Sequence, residues 1–160
     1  MGRKSIKKNK NIYFQSREEA GLTRAEASEL MECVSESRID KIENDRTRVQ
    51  PEDVTAMAKA YKRPNLCNYY CTHECSIGKD TVTELRPSNL SELSLSIFNS
   101  LNALNKQKER LMEIAEDGTV TDDEMSDFLS IQKNLDKIST TVETLKLWMA
   151  EALGTPDTQP

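Results

Sequence analysis

GLTRAEASELMECVSESRIDKIEND, residues 21–45, decides the fold of this chain. Thr23 can cap a helix through its hydroxyl, and Glu26 three residues on completes a capping box. The helix it opens is predicted to end near Met31. Glu32 to Val34 is long enough only to turn the chain, and Ser35 is a second N-cap, opening a helix over 36–44. Two short helices joined in about twenty-five residues make a helix-turn-helix. On the second helix Ile39 and Ile42 share an inward face, and a rotation of about 100° per residue sets Ser37, Asp40, Lys41 and Asn44 on the outer one. Such an outer face suits the base edges of a DNA major groove, although every small amphipathic helix also has a solvated polar side.

The spacing carries a resemblance. Gly21-Leu22-Thr23, Val34-Ser35, Ile39, Lys41-Ile42-Glu43-Asn44 and Arg46, followed by Pro51, Val54, Met57, Ala58 and Tyr61, resemble the lambda-repressor-like, or Xre, family of helix-turn-helix DNA-binding domains over residues 11–64. The chain departs from that pattern at four points. Ser16 and Ala27 stand where the family usually has Leu, the turn is one residue longer, and Asp45 replaces the usual Gly. The resemblance implies a recognition helix from which Ser35, Ser37, Lys41 and Asn44 reach bases or adjoining phosphates, with Glu36 accepting from a cytosine amine. Arg24, Arg46 and Arg48 are then expected to hold phosphates, which fixes register without reading sequence.

Charge is distributed to match. The whole chain of 160 residues is acidic, with 22 Lys+Arg against 27 Asp+Glu, yet residues 1–64 hold 14 of the former and 11 of the latter. The basic part is therefore the part that carries the motif, a pattern associated with nucleic-acid contact by one half of a chain. With 36% hydrophobic and 31% charged residues the chain reads as a core-forming protein of one or two small domains. It has no apolar run of membrane-spanning length and no secretory signal, so a cytoplasmic location is expected.

Outside residues 21–45 the chain reads in segments. Residues 1–10, MGRKSIKKNK, form a basic arm suited to phosphates or a minor groove, or a solubilising tail. Residues 11–20 are predicted as a first helix, Ile12 and Tyr13 inward and Arg17, Glu18 and Glu19 outward, stopped by Gly21. Pro51, Glu52 and Asp53 open a further helix whose buried stripe is Val54, Met57, Ala58 and Tyr61. Cys33 reads as a packing residue in the turn. Within 64–79 the spacing Cys67-x3-Cys71-x-His73-x-Cys75 offers four soft ligands, so zinc or an iron–sulfur cluster is one reading. The other is three small hydrophobes stacked four apart on a helix that closes the domain, with His73 at the surface. The domain is expected to span 11–79 and hold five helices, followed by a linker over 80–88.

From 89 to 153 the periodicity is helical throughout. Leu90, Ile97, Leu104 and Leu111 recur every seven residues, with Leu93, Leu101 and Ile114 beside them. In the second run Phe128, Leu135, Val142 and Met149 hold one heptad position and Ile131, Ile138, Leu145 and Ala152 the other. Such rows mark an antiparallel coiled-coil-like hairpin or an ordinary bundle core. Gly118 permits the turn, and Thr121 with Glu124 caps the second helix. Residues 154–160 read as a tail.

The fold class is thus all-α, a five-helix helix-turn-helix domain followed by a long helical hairpin. No nucleophile with a base, no phosphate-binding glycine loop and no paired carboxylates in an apolar setting are found, so no enzymatic activity and no required cofactor are expected. The leading expectation is a DNA-binding transcriptional regulator that oligomerises through 89–153, with double-stranded DNA and a second copy as partners. The competing one is an adaptor or antitoxin-like module whose hairpin binds another protein.

Overall fold

Every regular element among the described residues, 9–86 and 88–153 of a computed structural model, is helical. The predicted tail, most of the basic arm and Pro87 lie outside the described residues. The chain divides into two compact units, one built by the N-terminal helices and the other spanning Leu85–Met149.

The N-terminal unit contains α1 (Ile12–Glu19), α2 (Arg24–Met31), α3 (Glu36–Glu43), α4 (Pro51–Ala60), α5 (Asn65–His73) and a single-turn α6 (Gly78–Thr81). Side chains next to the helix starts explain the boundaries. Asn11 accepts the Phe14 N–H at the head of α1, Thr23 and Glu26 form the reciprocal capping box of α2, and Ser35 accepts the Arg38 N–H of α3. At α4 the Asp53 carboxylate takes the Gln50 N–H at 2.8 Å, behind Pro51 in the first turn. Gly21 ends α1 in the left-handed region, at φ 73°.

Among the described residues three that are not glycine, Glu32, Asp45 and Lys62, also have positive φ. Asp45 stands where the family resemblance leads one to expect Gly, and φ 56° is the backbone conformation that a Gly adopts without strain. Glu32, φ 55°, lies in the extended turn between α2 and α3.

The core of this unit gathers Tyr13, Ala27, Met31, Val34, Ile39, Ile42, Val49, Val54, Met57, Tyr61 and Leu66, contributed by α1 to α5 and the turns between them. Burying each of the larger side chains stabilises the fold by about 1.5–3 kcal/mol. The two positions that depart from Leu, Ser16 and Ala27, both face inward. α6 adds a helix to the five expected and takes up the start of the predicted linker. Its Gly78 is buried against α5, where a Cβ would come within 2.3 Å of the Cys71 carbonyl oxygen. Only Gly fits there.

The second unit is a pair of long helices, α7 (Leu90–Ala115) and α8 (Met125–Leu153). Asn89 caps α7 by accepting the Glu92 N–H. Ser96 meets Thr141, Gln107 donates to Ser130 and Arg110 to Asp127, so each step along α7 matches an equal step back along α8 and the pair is antiparallel. Gly118, φ 72°, lies in the connection, and the Glu124 carboxylate accepts from both the N–H and the hydroxyl of Thr121.

The heptad rows divide differently from expectation. Leu93, Ile114 and Ile131 are buried between the helices, but Leu90, Leu101, Leu135, Val142, Met149 and Ala152 are exposed. Polar side chains take the vacated places: Ser100, Thr141 and Thr144 are buried, and the Asn134 amide donates to Gln107 at 2.6 Å. Periodicity finds an apolar stripe, but it does not say which neighbour the stripe faces.

Candidate nucleic-acid interface

The outer face of α3 begins with Ser35, whose side chain is committed to capping, and continues through exposed Glu36, Ser37 and Lys41. Ile39 and Ile42, wholly buried beneath it, seat the helix on the core. Asn44, expected to face outward, is half-buried, and its amide donates to the carbonyl and the carboxylate of Asp40 at 2.8 and 3.0 Å. It closes the end of the helix as well as bordering the outer face.

The acids of α3 have separate fates. Glu43 is completely buried and accepts two hydrogen bonds from Arg17, at 2.5 and 2.9 Å, and a third from Arg24 at 2.8 Å. Arg17 was expected at the surface of α1, but it turns inward. Burial alone would lower its pKa; the hydrogen bond and the charge of Glu43 outweigh that and hold it raised. Asp40 forms ion pairs with Arg24 at 2.7 Å and Arg46 at 3.6 Å. Glu36 is left as the outward acid, at the N-terminal end of α3.

This arrangement corrects the role expected of Arg24. Its guanidinium joins Asp40 and Glu43 and lies 5.7 Å from the Phe14 ring centroid, tying α1 and α2 to α3. Arg46 and Arg48 differ: both are exposed in the loop after α3, Arg46 in only a long ion pair and Arg48 in none among the described residues. A further arginine, Arg38, was not singled out from sequence. It forms a two-pronged pair with Asp53 at 2.6 and 2.5 Å, fastening α3 to the head of α4. Its signal was available in the sequence only as an acid in the first turn of α4, which the helix end itself already explains.

The cysteine segment does not assemble as a ligand set. Cys67 is exposed, and Cys71 and Cys75 are half-buried on α5 and just beyond it. Cys75 Sγ accepts the Gly78 N–H, and His73 stacks on Tyr69 with ring centroids 4.3 Å apart, its Nε2 3.7 Å from Glu84. Among the described residues no three His, Cys, Asp or Glu side chains form a group that could hold a metal ion. These residues instead fold α6 back onto α5. Cys33, read as a packing residue, is exposed and lines an open groove with Leu30, Pro51 and Ala56.

No described helix is long and apolar enough to cross a membrane. No curated protein and no solved structure matches the chain. Residues 15–70, running from α1 into α5, match a family model described as a helix-turn-helix domain, consistent with the Xre-like resemblance.

Proposed function

We propose that the protein is a sequence-specific DNA-binding transcriptional regulator, cytoplasmic, acting as a dimer or higher oligomer joined through residues 89–153. The observation that carries this reading is the disposal of the acids on α3. Three carboxylates on a recognition helix would repel phosphate, but Glu43 is buried under two arginines and Asp40 is paired with Arg24 and Arg46. Lys41, Ser37 and the two loop arginines are left to define the outer surface, with Glu36 as its one outward acid at the N-terminal end of α3.

In this reading α3 enters the major groove. Lys41 donates to guanine O6 or N7, Ser35, Ser37 and Asn44 contact base edges or phosphates beside it, and Glu36 accepts from a cytosine amine. Arg46 and Arg48 grip phosphates and set the register. Two copies then read half-sites about one helical turn, or a multiple of it, apart. No catalytic step and no cofactor enter this account. The competing reading, an adaptor or antitoxin-like module, draws on exposed Glu36 and on the apolar rows left open on the hairpin.

A gel shift with random genomic fragments across a salt series tests the proposal. DNA binding predicts a steep loss of affinity with salt. Arg46→Ala is expected to weaken binding to all fragments alike and lower the salt slope by about 1, whereas Lys41→Ala removes about tenfold from a selected site and little from the rest. Absence of any retarded band at low and moderate salt would overturn the regulator reading in favour of the adaptor.

A further inference from the structure

The hairpin leaves its most continuous apolar surface outside. Leu90, Leu101 and Met112 follow one another at eleven-residue steps along α7, three turns of helix each, and so form one line along it. Leu135, Val142 and Met149 form a second line at seven-residue steps along α8. All six are between 37% and 64% exposed.

The two lines share a face. Leu101 follows buried Ser100, and Leu135 follows Asn134, whose amide reaches across to Gln107. Each leucine is therefore turned about 100° from its seam residue, in the same rotational sense. On antiparallel helices equal turns of one sense lead to one side of the layer. Meanwhile the seam itself is filled by Ser96 with Thr141, Gln107 with Asn134, and a buried Ser100 hydroxyl that has no hydrogen-bond partner among the described residues.

We infer that this face is the dimer interface, covered by the same face of a second copy to close a four-helix bundle. The inference deepens the oligomeric regulator reading and rests on it for the purpose of the dimer, but not for its existence. Size favours a second copy. A helix of 26 residues is about 40 Å long, and two packed helices are about 20 Å across, so the face offers about 800 Å². That is one side of a standard stable interface. Charge favours it as well. None of the helix acids lies on either line: Glu92, Glu113, Asp136 and Glu151 turn away, Glu109 and Glu143 come no nearer than the rim, and Asp127 sits toward the seam, paired with Arg110, while the charges that do lie along the face are two lysines, Lys108 and Lys146. A face with apolar rows and no acid gives a basic partner nothing to pair with, whereas a two-fold axis pairs those rows with themselves and repeats every contact twice. The apolar layer that the hairpin lacks between its own helices is then supplied between hairpins, as in a four-helix bundle.

Sedimentation equilibrium of the full chain without DNA, from about 1 to 100 μM, tests this. The wild type is expected at twice the 18.2 kDa chain mass, and L101E/L135E at the single-chain mass with its helical circular dichroism retained. A control pair, L95E/L129E, replaces exposed leucines that point off the face and is expected to remain dimeric. A wild type of single-chain mass throughout, a folded L101E/L135E that still dimerises, or dissociation of the control pair overturns the assignment. Should L101E/L135E lose helicity, L101A/L135A decides: dimer dissociation at least tenfold easier supports the face, and unchanged dissociation overturns it. A monomer that still shifts DNA sinks this inference alone; a dimer that never does sinks only the regulator reading.

Discussion

The two units of this chain are built on opposite plans. In the helix-turn-helix unit the apolar side chains of five helices converge, and the buried charges among them are closed into pairs such as Arg17 with Glu43. In the hairpin, hydroxyls and amides take much of the seam while a long apolar face looks outward. The first satisfies itself within one chain and leaves a polar helix to present; the second leaves its hydrophobic driving force unspent. An isolated hairpin of that kind is marginal, because helix stability in proteins comes from packing an apolar stripe against something.

The largest test of this contrast removes one member of an ion pair in each unit. Glu43→Ala leaves the buried Arg17 guanidinium, 8% exposed, without its carboxylate. The expected loss is about 3–5 kcal/mol, enough to unfold a marginal domain, because an unpaired buried charge is far worse than no charge. Arg110→Ala removes a guanidinium that lies at the surface between Asp127 and Glu113, and its urea midpoint is expected to stay at the wild-type value. Equal effects from the two substitutions would remove the distinction between the units.

How much of this was legible follows the same division. Thr23 with Glu26, Ser35, Pro51 and Gly21 are signals read within four residues of where they act, and the structure bears each out. Arg17 with Glu43 spans 26 residues, and Arg38 with Asp53 spans 15. A periodicity argument places charged side chains outward by default, so it cannot find two that pay for each other's burial. The hairpin rows were legible only in part, for a different reason. Their period was right, but a heptad stripe is equally consistent with facing the neighbouring helix or a second molecule. At the candidate interface Lys41, Arg46 and Arg48 are exposed, which a polar helix face and a loop dictate by themselves, whereas the inward turn of Arg24 and the packing of Gly78 on Cys71 depend on tertiary neighbours.

A second, smaller test uses alkali. All four tyrosines, at 13, 61, 69 and 70, belong to the N-terminal unit, and the single tryptophan, Trp148, belongs to the hairpin. Burial, followed by the hydrogen bond to Glu74, pushes the Tyr13 phenol well above its ordinary pKa; burial does the same for Tyr61, with the charge of Glu43 adding to it. A group whose folded pKa is raised contributes stability that is complete below its unfolded value, about 10 for tyrosine, and is lost as pH rises beyond it. Above about pH 10 the near-ultraviolet dichroism of the tyrosines is therefore expected to melt at lower urea, in reducing buffer, while the Trp148 transition stays in place. Tyr61→Phe should flatten that dependence, and an equal shift of both probes would argue for one cooperative unit.

The finest test asks one substitution to change sign between the units. Ser28 on α2 donates to the Val34 carbonyl at 2.9 Å and so braces the long turn between α2 and α3. Ser100 on α7 is 2% exposed and its hydroxyl has no partner among the described residues. Alanine gains a little intrinsic helix propensity at both sites. At Ser28 the loss of a hydrogen bond that satisfies a turn carbonyl outweighs the gain, and Ser28→Ala is expected to destabilise by about 1 kcal/mol. At Ser100 there is no bond to lose, so relieving an orphaned hydroxyl of its desolvation adds to the propensity and Ser100→Ala is expected to stabilise by about 1 kcal/mol. Urea titrations followed by tyrosine dichroism for the first and Trp148 fluorescence for the second, at one protein concentration because an oligomer's stability depends on it, read the two signs. If Ser100→Ala destabilised, its hydroxyl would have to be bonded in solution, and the polar seam of the hairpin would be a satisfied network as complete as the one beneath α3.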